Sequence, residues 1–108
     1  MTAFELGRLS TERRDAGRPY LEFLRVPALS MGLYVLAAGA ADLQQPHAED
    51  EVYYVVEGRG RIQVASEDRM VEPGIVVFVP AGVPHHFHDI TEGLTLLVFF
   101  APAESPAP

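Results

Sequence analysis

The feature that most constrains this chain is its rhythm. Short runs rich in Val, Leu, Tyr and Phe recur along its 108 residues, and nine Gly and nine Pro are spread between them. No stretch leaves room for a long helix, and such spacing of apolar runs and turn residues describes many short strands. Strands are expected at Tyr20–Val26, Gly32–Ala37, Val52–Glu57, Arg61–Val64, Ile75–Val79, His85–His88 and Leu94–Phe100. Turns are expected at Ala38-Gly39-Ala40, Gly58-Arg59-Gly60, Ser66-Glu67-Asp68, Pro73-Gly74, Pro80-Ala81-Gly82 and Thr91-Glu92-Gly93. A short helix around Ser10–Asp15, capped by Ser10 or Thr11, completes the reading. Seven or eight antiparallel strands in this length make an all-β domain, a closed barrel or jelly roll whose mouth is a natural ligand site.

At 48% hydrophobic, the chain can bury one core but not two. A single domain is expected over residues 1–100, with the Pro- and Ala-rich 101–108 as a flexible tail. The opening residues carry charges throughout and lack the apolar stretch of a signal peptide, and nothing later reaches a membrane span. A soluble, cytoplasmic protein without a membrane partner is therefore expected. A net charge of −7 opposes binding to a phosphate backbone, so nucleic acid is not an expected partner. The absence of cysteine excludes disulfides, thiolate metal sites and a cysteine nucleophile.

The four histidines, His47, His85, His86 and His88, fall in two short segments. In Gln44-Gln45-Pro46-His47-Ala48-Glu49-Asp50-Glu51, Pro46 and the β-rich residues that follow favour extended chain over helix. His47 and Glu51 then share parity and can point to the same side. Strict alternation would also turn Glu49 inward, so this segment must break parity somewhere. In the second segment, Phe87 should face the core and take His85 with it, leaving His86 and His88 outward.

Together the two segments resemble the paired signature motifs of the cupin superfamily. The first motif is commonly Gly, five residues, His-x-His, three or four residues, Glu, six residues, Gly; here Gly39, Gln45, His47, Glu51 and Gly58 hold those places. The second is matched by Gly74, Pro80, Gly82, His85 and Asp89, with Asp89 where Asn is usual. The resemblance runs from about Leu33 to Phe99 and implies a cupin jelly-roll β-barrel.

It also implies one divalent metal ion, held by His47, Glu51 and His85 with position 45 as the fourth ligand. Two imidazoles and a carboxylate suit Fe(II), Mn(II), Ni(II), Co(II) or Zn(II). Gln45 offers only a neutral amide oxygen, a weaker ligand that can instead bond a metal-bound water; Gln44 is the alternative if Pro46 kinks the strand. A metal-free hydrogen-bonded cluster of the same side chains is the competing reading. Tyr53, two residues beyond Glu51, should point the same way. It is either the catalytic tyrosine of similar cupin lyases, made more acidic by the metal, or a core tyrosine with its hydroxyl bonded. Leu33, Val35, Val55, Val77, Phe87 and Phe99 should line a pocket or fill the core.

Cupins include dioxygenases, lyases, isomerases and binding domains, so fold alone fixes no reaction. The expected function is a metal-dependent dioxygenase, lyase or isomerase acting on a small oxygenated molecule. The alternatives are a binding or sensing module, or a structural dimer stapled by its metal. A homodimer is expected, with Tyr20-Leu21-Glu22-Phe23-Leu24 as a strand that could pair between subunits.

Overall fold

Two long strands organise the molecule, where the sequence suggests four short ones. In the computed structural model, which describes residues 1–105, the elements run α1 (Leu6–Ala16), β1 (Tyr20–Val26), β2 (Leu29–Leu36), β3 (Asp50–Val64), β4 (Glu67–Val71), β5 (Val76–Val79) and β6 (His85–Ala101). All pairings are antiparallel, in the order β1-β2-β6-β3-β4, with β5 on the first half of β3. The result is an antiparallel jelly roll with one short helix on its flank.

β3 and β6 pair along nearly their whole length, with register shifts between Val55 and Arg61. The expected turns at Gly58-Arg59-Gly60 and Thr91-Glu92-Gly93 are therefore bulges inside continuous strands. A bulge bends a ladder and increases its twist without ending it. Gly58 takes φ +96°, a conformation that side-chain-bearing residues avoid, and lies against the Gly93 carbonyl. Asp89 stands at φ 47°, where Asp and Asn are tolerated better than most residues, which accounts for a short polar residue at that motif position. β3 thus lies between β6 and β5 in its first half and between β6 and β4 in its second. β4 replaces part of the turn expected from the polar Ser66-Glu67-Asp68; it forms because β3 offers an open edge to pair with.

The core lies between these halves and comprises Tyr53, Val55, Ile62, Val71, Val79, Phe87, Leu94, Leu96, Val98 and Phe100 with their neighbours. On β6 the inward parity belongs to Val98 and Phe100, so the expected pocket residue Phe99 faces the other way.

The helix starts four residues earlier than expected. Thr11 does not cap it; its hydroxyl donates to the Gly7 carbonyl one turn back, while Gly17 in the left-handed conformation closes the helix. Leu9 is buried against the sheet, and Phe4 meets Phe23 edge-on at 4.9 Å. No helix among the described residues is long and apolar enough to cross a membrane.

Residues 102–105, expected to belong to a flexible tail, lie back against the barrel. Ala103 N donates to Pro27 O, Glu104 N to Ser30 Oγ and Ser105 Oγ to Glu49 Oε2. The small residues of this segment bury little, but polar groups on β2 and before β3 supply the bonds. Residues 106–108 lie outside the described part of the chain.

Candidate metal centre

His47 sits in the loop before β3, Glu51 at the second position of β3, and His85 at the first of β6. The loop is fixed to the second motif by backbone, since Gly82 N donates to His47 O at 2.7 Å and Ala81 N to Asp50 Oδ1 at 2.9 Å. The Pro80-Ala81-Gly82 turn thereby sets the distance between the two histidines. One ligand atom from each of His47, Glu51 and His85 lies within 4.8 Å of the others. His85 Nε2 is 2.9 Å and His47 Nε2 3.8 Å from Glu51 Oε1.

Those contacts are unusual for buried polar groups. The side chains of Glu51 and His85 are each 1% exposed, yet Glu51 Oε1, Glu51 Oε2 and His85 Nε2 have no hydrogen-bond partner among the described residues. The 2.9 Å approach brings the two groups within ion-pair distance without aligning donor to acceptor. Buried polar groups left this way cost of order 1–3 kcal/mol each, so a native site needs something to satisfy them. A divalent cation accepts a lone pair from each of these atoms at once. The donor set, two imidazole nitrogens and a carboxylate, fits such an ion.

The Nδ1 side of each ring supports the same orientation. His85 Nδ1 is 2.9 Å from the Val83 carbonyl, which fixes it as the protonated nitrogen and leaves Nε2 toward Glu51. His47 Nδ1 lies 3.2 Å from Glu104 Oε2.

Gln44, not Gln45, reaches this group. Gln45 is exposed on the outside of the loop with Pro46, Pro84 and His86 around it. The segment is loop through Glu49 and pairs only from Asp50, so strand alternation does not govern it. Glu49 is buried, and its carboxylate accepts a bond from Ser105 rather than turning to the metal group. Gln44 Nε2 donates to Asp42 Oδ2 at 2.7 Å, which turns its Oε1 toward the Tyr53 hydroxyl at 2.9 Å and His47 Nε2 at 3.3 Å.

Asp42, which sequence reasoning did not single out, is the hub of this wall. It accepts from Tyr34 Oη, Gln44 Nε2 and the Phe87 backbone N. Asp42 lies in a loop with no period to mark it, and nothing in the sequence says that Phe87 would meet it.

Tyr53 is fully buried, edge-on to Phe87, and donates to Gln44 Oε1. Burial, then the charge of Glu51, push its phenol well above its ordinary range. Its buried hydroxyl is thus hydrogen-bonded, as the core-tyrosine reading requires. His86 and His88 lie on the outward parity as expected, and His88 Nε2 pairs with Asp68 Oδ2 at 2.6 Å.

Beside the group lies a cavity of about 220 Å³. Tyr20, Tyr34 and Gln44 form one part of its wall, His47, Glu51 and Glu104 another, and Val98 and Phe100 the apolar remainder. The Tyr20 hydroxyl is buried without a partner among the described residues, and its ring occupies the space that a Cβ at Gly32 would need. Burial, with Glu104 and Glu22 nearby, keeps that hydroxyl protonated.

Both site histidines are raised above the ordinary 6.5 in the metal-free protein. For His47 the main cause is Glu104; for His85 burial opposes the charge, but Glu51 and the Val83 carbonyl outweigh it. A raised folded value contributes stability that is fully present below about 6.5 and is lost as pH rises through the raised values. Metal binding needs the same protons removed. The melting temperature of chelator-treated protein should therefore fall as pH rises above about 6.5, while the increment from added metal grows. Thermal melts across pH check this, and parallel curves would contradict it.

Residues 32–100 match the family model described as a cupin domain. Over 105 residues the chain is 53% identical to the uncharacterized protein SCO3923 of Streptomyces coelicolor, covering 97% of this chain and 100% of that protein. The crystal structure of TT1209 from Thermus thermophilus is similar at 28% identity and a TM-score of 0.75, over 95% of this chain and 99% of that one. A chain from the crystal structures of the DMSP lyases RdDddP and RnDddQII is also 28% identical, with a TM-score of 0.68, over 76% of this chain and 46% of that chain.

Proposed function

The chain belongs to the cupin family, and from that premise we propose that it is a metal-dependent enzyme acting on a small oxygenated molecule, of the dioxygenase, lyase or isomerase type. The observation that carries this is the set of unpartnered buried atoms on Glu51 and His85 facing His47 Nε2, beside a cavity with a free hydroxyl donor. The similarity to a chain of the DMSP lyase structures supports an enzyme of this kind.

The ion, one of Fe, Mn, Ni, Co or Zn, would be held by His47, Glu51 and His85 with Gln44 Oε1 beside them. When bound it supplies a Lewis acid for a substrate oxygen or a site for O2. The chain's own residues do the rest. Tyr20 donates its hydroxyl to a ligand oxygen, and Val98 and Phe100 take the apolar part of the ligand. Phe100 also stacks edge-on against His47 at 4.8 Å and keeps water from that side. Tyr53 acts on Gln44 in this reading: its O–H holds Oε1 in place. A cavity of about 220 Å³ is smaller than the roughly 300–1,000 Å³ of drug-sized sites, which limits the ligand to a small molecule.

The test is turnover. Metal-loaded protein is incubated with a panel of small hydroxy, keto and carboxylic acids, with and without O2, and products are read by mass spectrometry. Metal-dependent product supports an enzyme; saturable binding with every ligand recovered unchanged would replace it with a binding or sensing module.

For setting and partners we propose a cytoplasmic homodimer. β1 pairs with β2 of its own chain and stands at the edge of the sheet, and a second surface that supports self-association is the outer face of β3 and β5, where Val52 meets Phe78 and Tyr54 meets Val76. Tyr54, Val76 and Phe78 remain exposed there. Light scattering should give twice the monomer mass for the parent and the monomer mass for Phe78→Lys.

A further inference from the structure

We infer that Glu104, carried by the segment after β6, is a positioning residue for the metal centre, holding His47 with its Nδ1 proton outward and its Nε2 lone pair toward Glu51 and His85. The inference rests on the metal reading above but concerns a residue outside both cupin motifs.

Four bonds place the segment: Ala103 N to Pro27 O, Glu104 N to Ser30 Oγ, Arg25 Nη2 to Glu104 O, and Ser105 Oγ to Glu49 Oε2. None of them uses the Glu104 carboxylate. Ser30 is fully buried and bonds the Glu104 backbone at 2.9 Å, so the residue is held at a fixed height on the barrel wall. Its carboxylate is free to turn inward, where it lines the cavity with Oε2 at 3.2 Å from His47 Nδ1.

The chemistry of an imidazole ligand explains what this does. A ring that binds metal through one nitrogen must carry its proton on the other, and an acceptor at that second nitrogen fixes both tautomer and ring orientation. His85 has such an acceptor in the Val83 carbonyl, supplied by its own turn. His47 follows Pro46 in a loop, and the group facing its Nδ1 is the Glu104 carboxylate, within ion-pair distance at 3.2 Å. A carboxylate there also raises the basicity of the ring and so its strength as a ligand. In the metal-free protein Nε2–H donates to Gln44 Oε1 at 3.3 Å and lies 3.8 Å from Glu51 Oε1; a cation between these oxygens would replace that proton, and the proton kept on Nδ1 leaves the Nε2 lone pair for it.

Because the anchoring bonds leave the carboxylate out, Glu104→Ala should keep the fold and lose the positioning. The experiment measures Co(II) affinity by chelator competition for the parent, Glu104→Ala and Glu104→Gln, together with melting of the metal-free proteins. Loss of a supporting partner of this kind costs roughly 10–100-fold in metal affinity. Glu104→Ala is expected to show that loss, with a metal-free melting temperature close to the parent's when measured at a pH above the raised His47 value, where the His47–Glu104 ion pair no longer contributes. Glu104→Gln, whose amide oxygen still accepts from Nδ1–H, should recover part of it. A Glu104→Ala protein that binds Co(II) as tightly as the parent would overturn the role of Glu104 alone. A parent that binds no Co(II) would overturn the metal reading and this inference with it. Nitrogen-15 NMR of the zinc-loaded parent is independent of how the variants fold: Nδ1 protonated on His47 agrees with the inference, and Nε2 protonated contradicts it.

Discussion

Glu51→Gln is expected to remove the response of this protein to divalent metal. With metal at about 100 times its dissociation constant, a site that binds only the folded chain adds about 2.7 kcal/mol. For a domain of this size that is roughly 10 °C in melting temperature. The glutamine keeps the volume of Glu51 but removes the charge from a side chain that is 1% exposed between two imidazoles, so the increment should fall below about 2 °C. His85→Ala should behave alike. Gln45→Ala, on the exposed side of the loop, should retain the full increment. Differential scanning calorimetry with and without Zn(II) reads all three, and an undiminished increment in Glu51→Gln would contradict the ligand assignment.

Gly58→Ala should lower stability by about 2–5 kcal/mol, the sum of a backbone cost and a packing cost. An alanine in a left-handed conformation costs about 1–2 kcal/mol. Its Cβ would also run into the Gly93 carbonyl, 2.6 Å from Gly93 C and 2.8 Å from Glu92 O, all backbone of the paired strand. Overpacking of that kind adds about 1–3 kcal/mol, and rigid backbone cannot rotate away as a side chain would. Gly7→Ala is the control: no atom lies within 4 Å of its Cβ and it sits in α1, where alanine is better than glycine by about 0.5–1 kcal/mol. Urea unfolding should move the two variants in opposite directions.

The difference between Gly58 and Gly7 also explains which parts of the fold were legible. Alternating apolar residues gave the strands their positions because parity is a local property. The same local reading could not tell a turn from a bulge: Gly58-Arg59-Gly60 looks like the end of a strand, and only its pairing with β6 keeps β3 running. β4 was hidden for a related reason, since Glu67-Asp68-Arg69 is polar and forms a strand on the open edge of β3.

The site divides along the same line. His47, Glu51 and His85 were readable because two motifs, each short, carry them with their turns. Gln44 took the place expected for Gln45 because a loop stabilised by Asp42 does not alternate like a strand. Tyr20, Tyr34 and Asp42 enter through contacts between residues far apart in sequence, and Glu104 lies in a segment whose composition suggests no structure at all. Its bonds come from Ser30 and Arg25, and its neighbour Ala103 is held by Pro27, none of which is near it in the chain.

The central claim is that Glu51, His47 and His85 hold a metal ion, and elemental analysis by plasma mass spectrometry tests it most directly. The protein should be purified without an affinity tag or chelator, beside His47→Ala, Glu51→Ala and His85→Ala. The account predicts close to one divalent ion per chain in the parent and almost none in the variants. No metal in the parent, even after incubation with Fe(II), Mn(II), Ni(II), Co(II) and Zn(II), would contradict it.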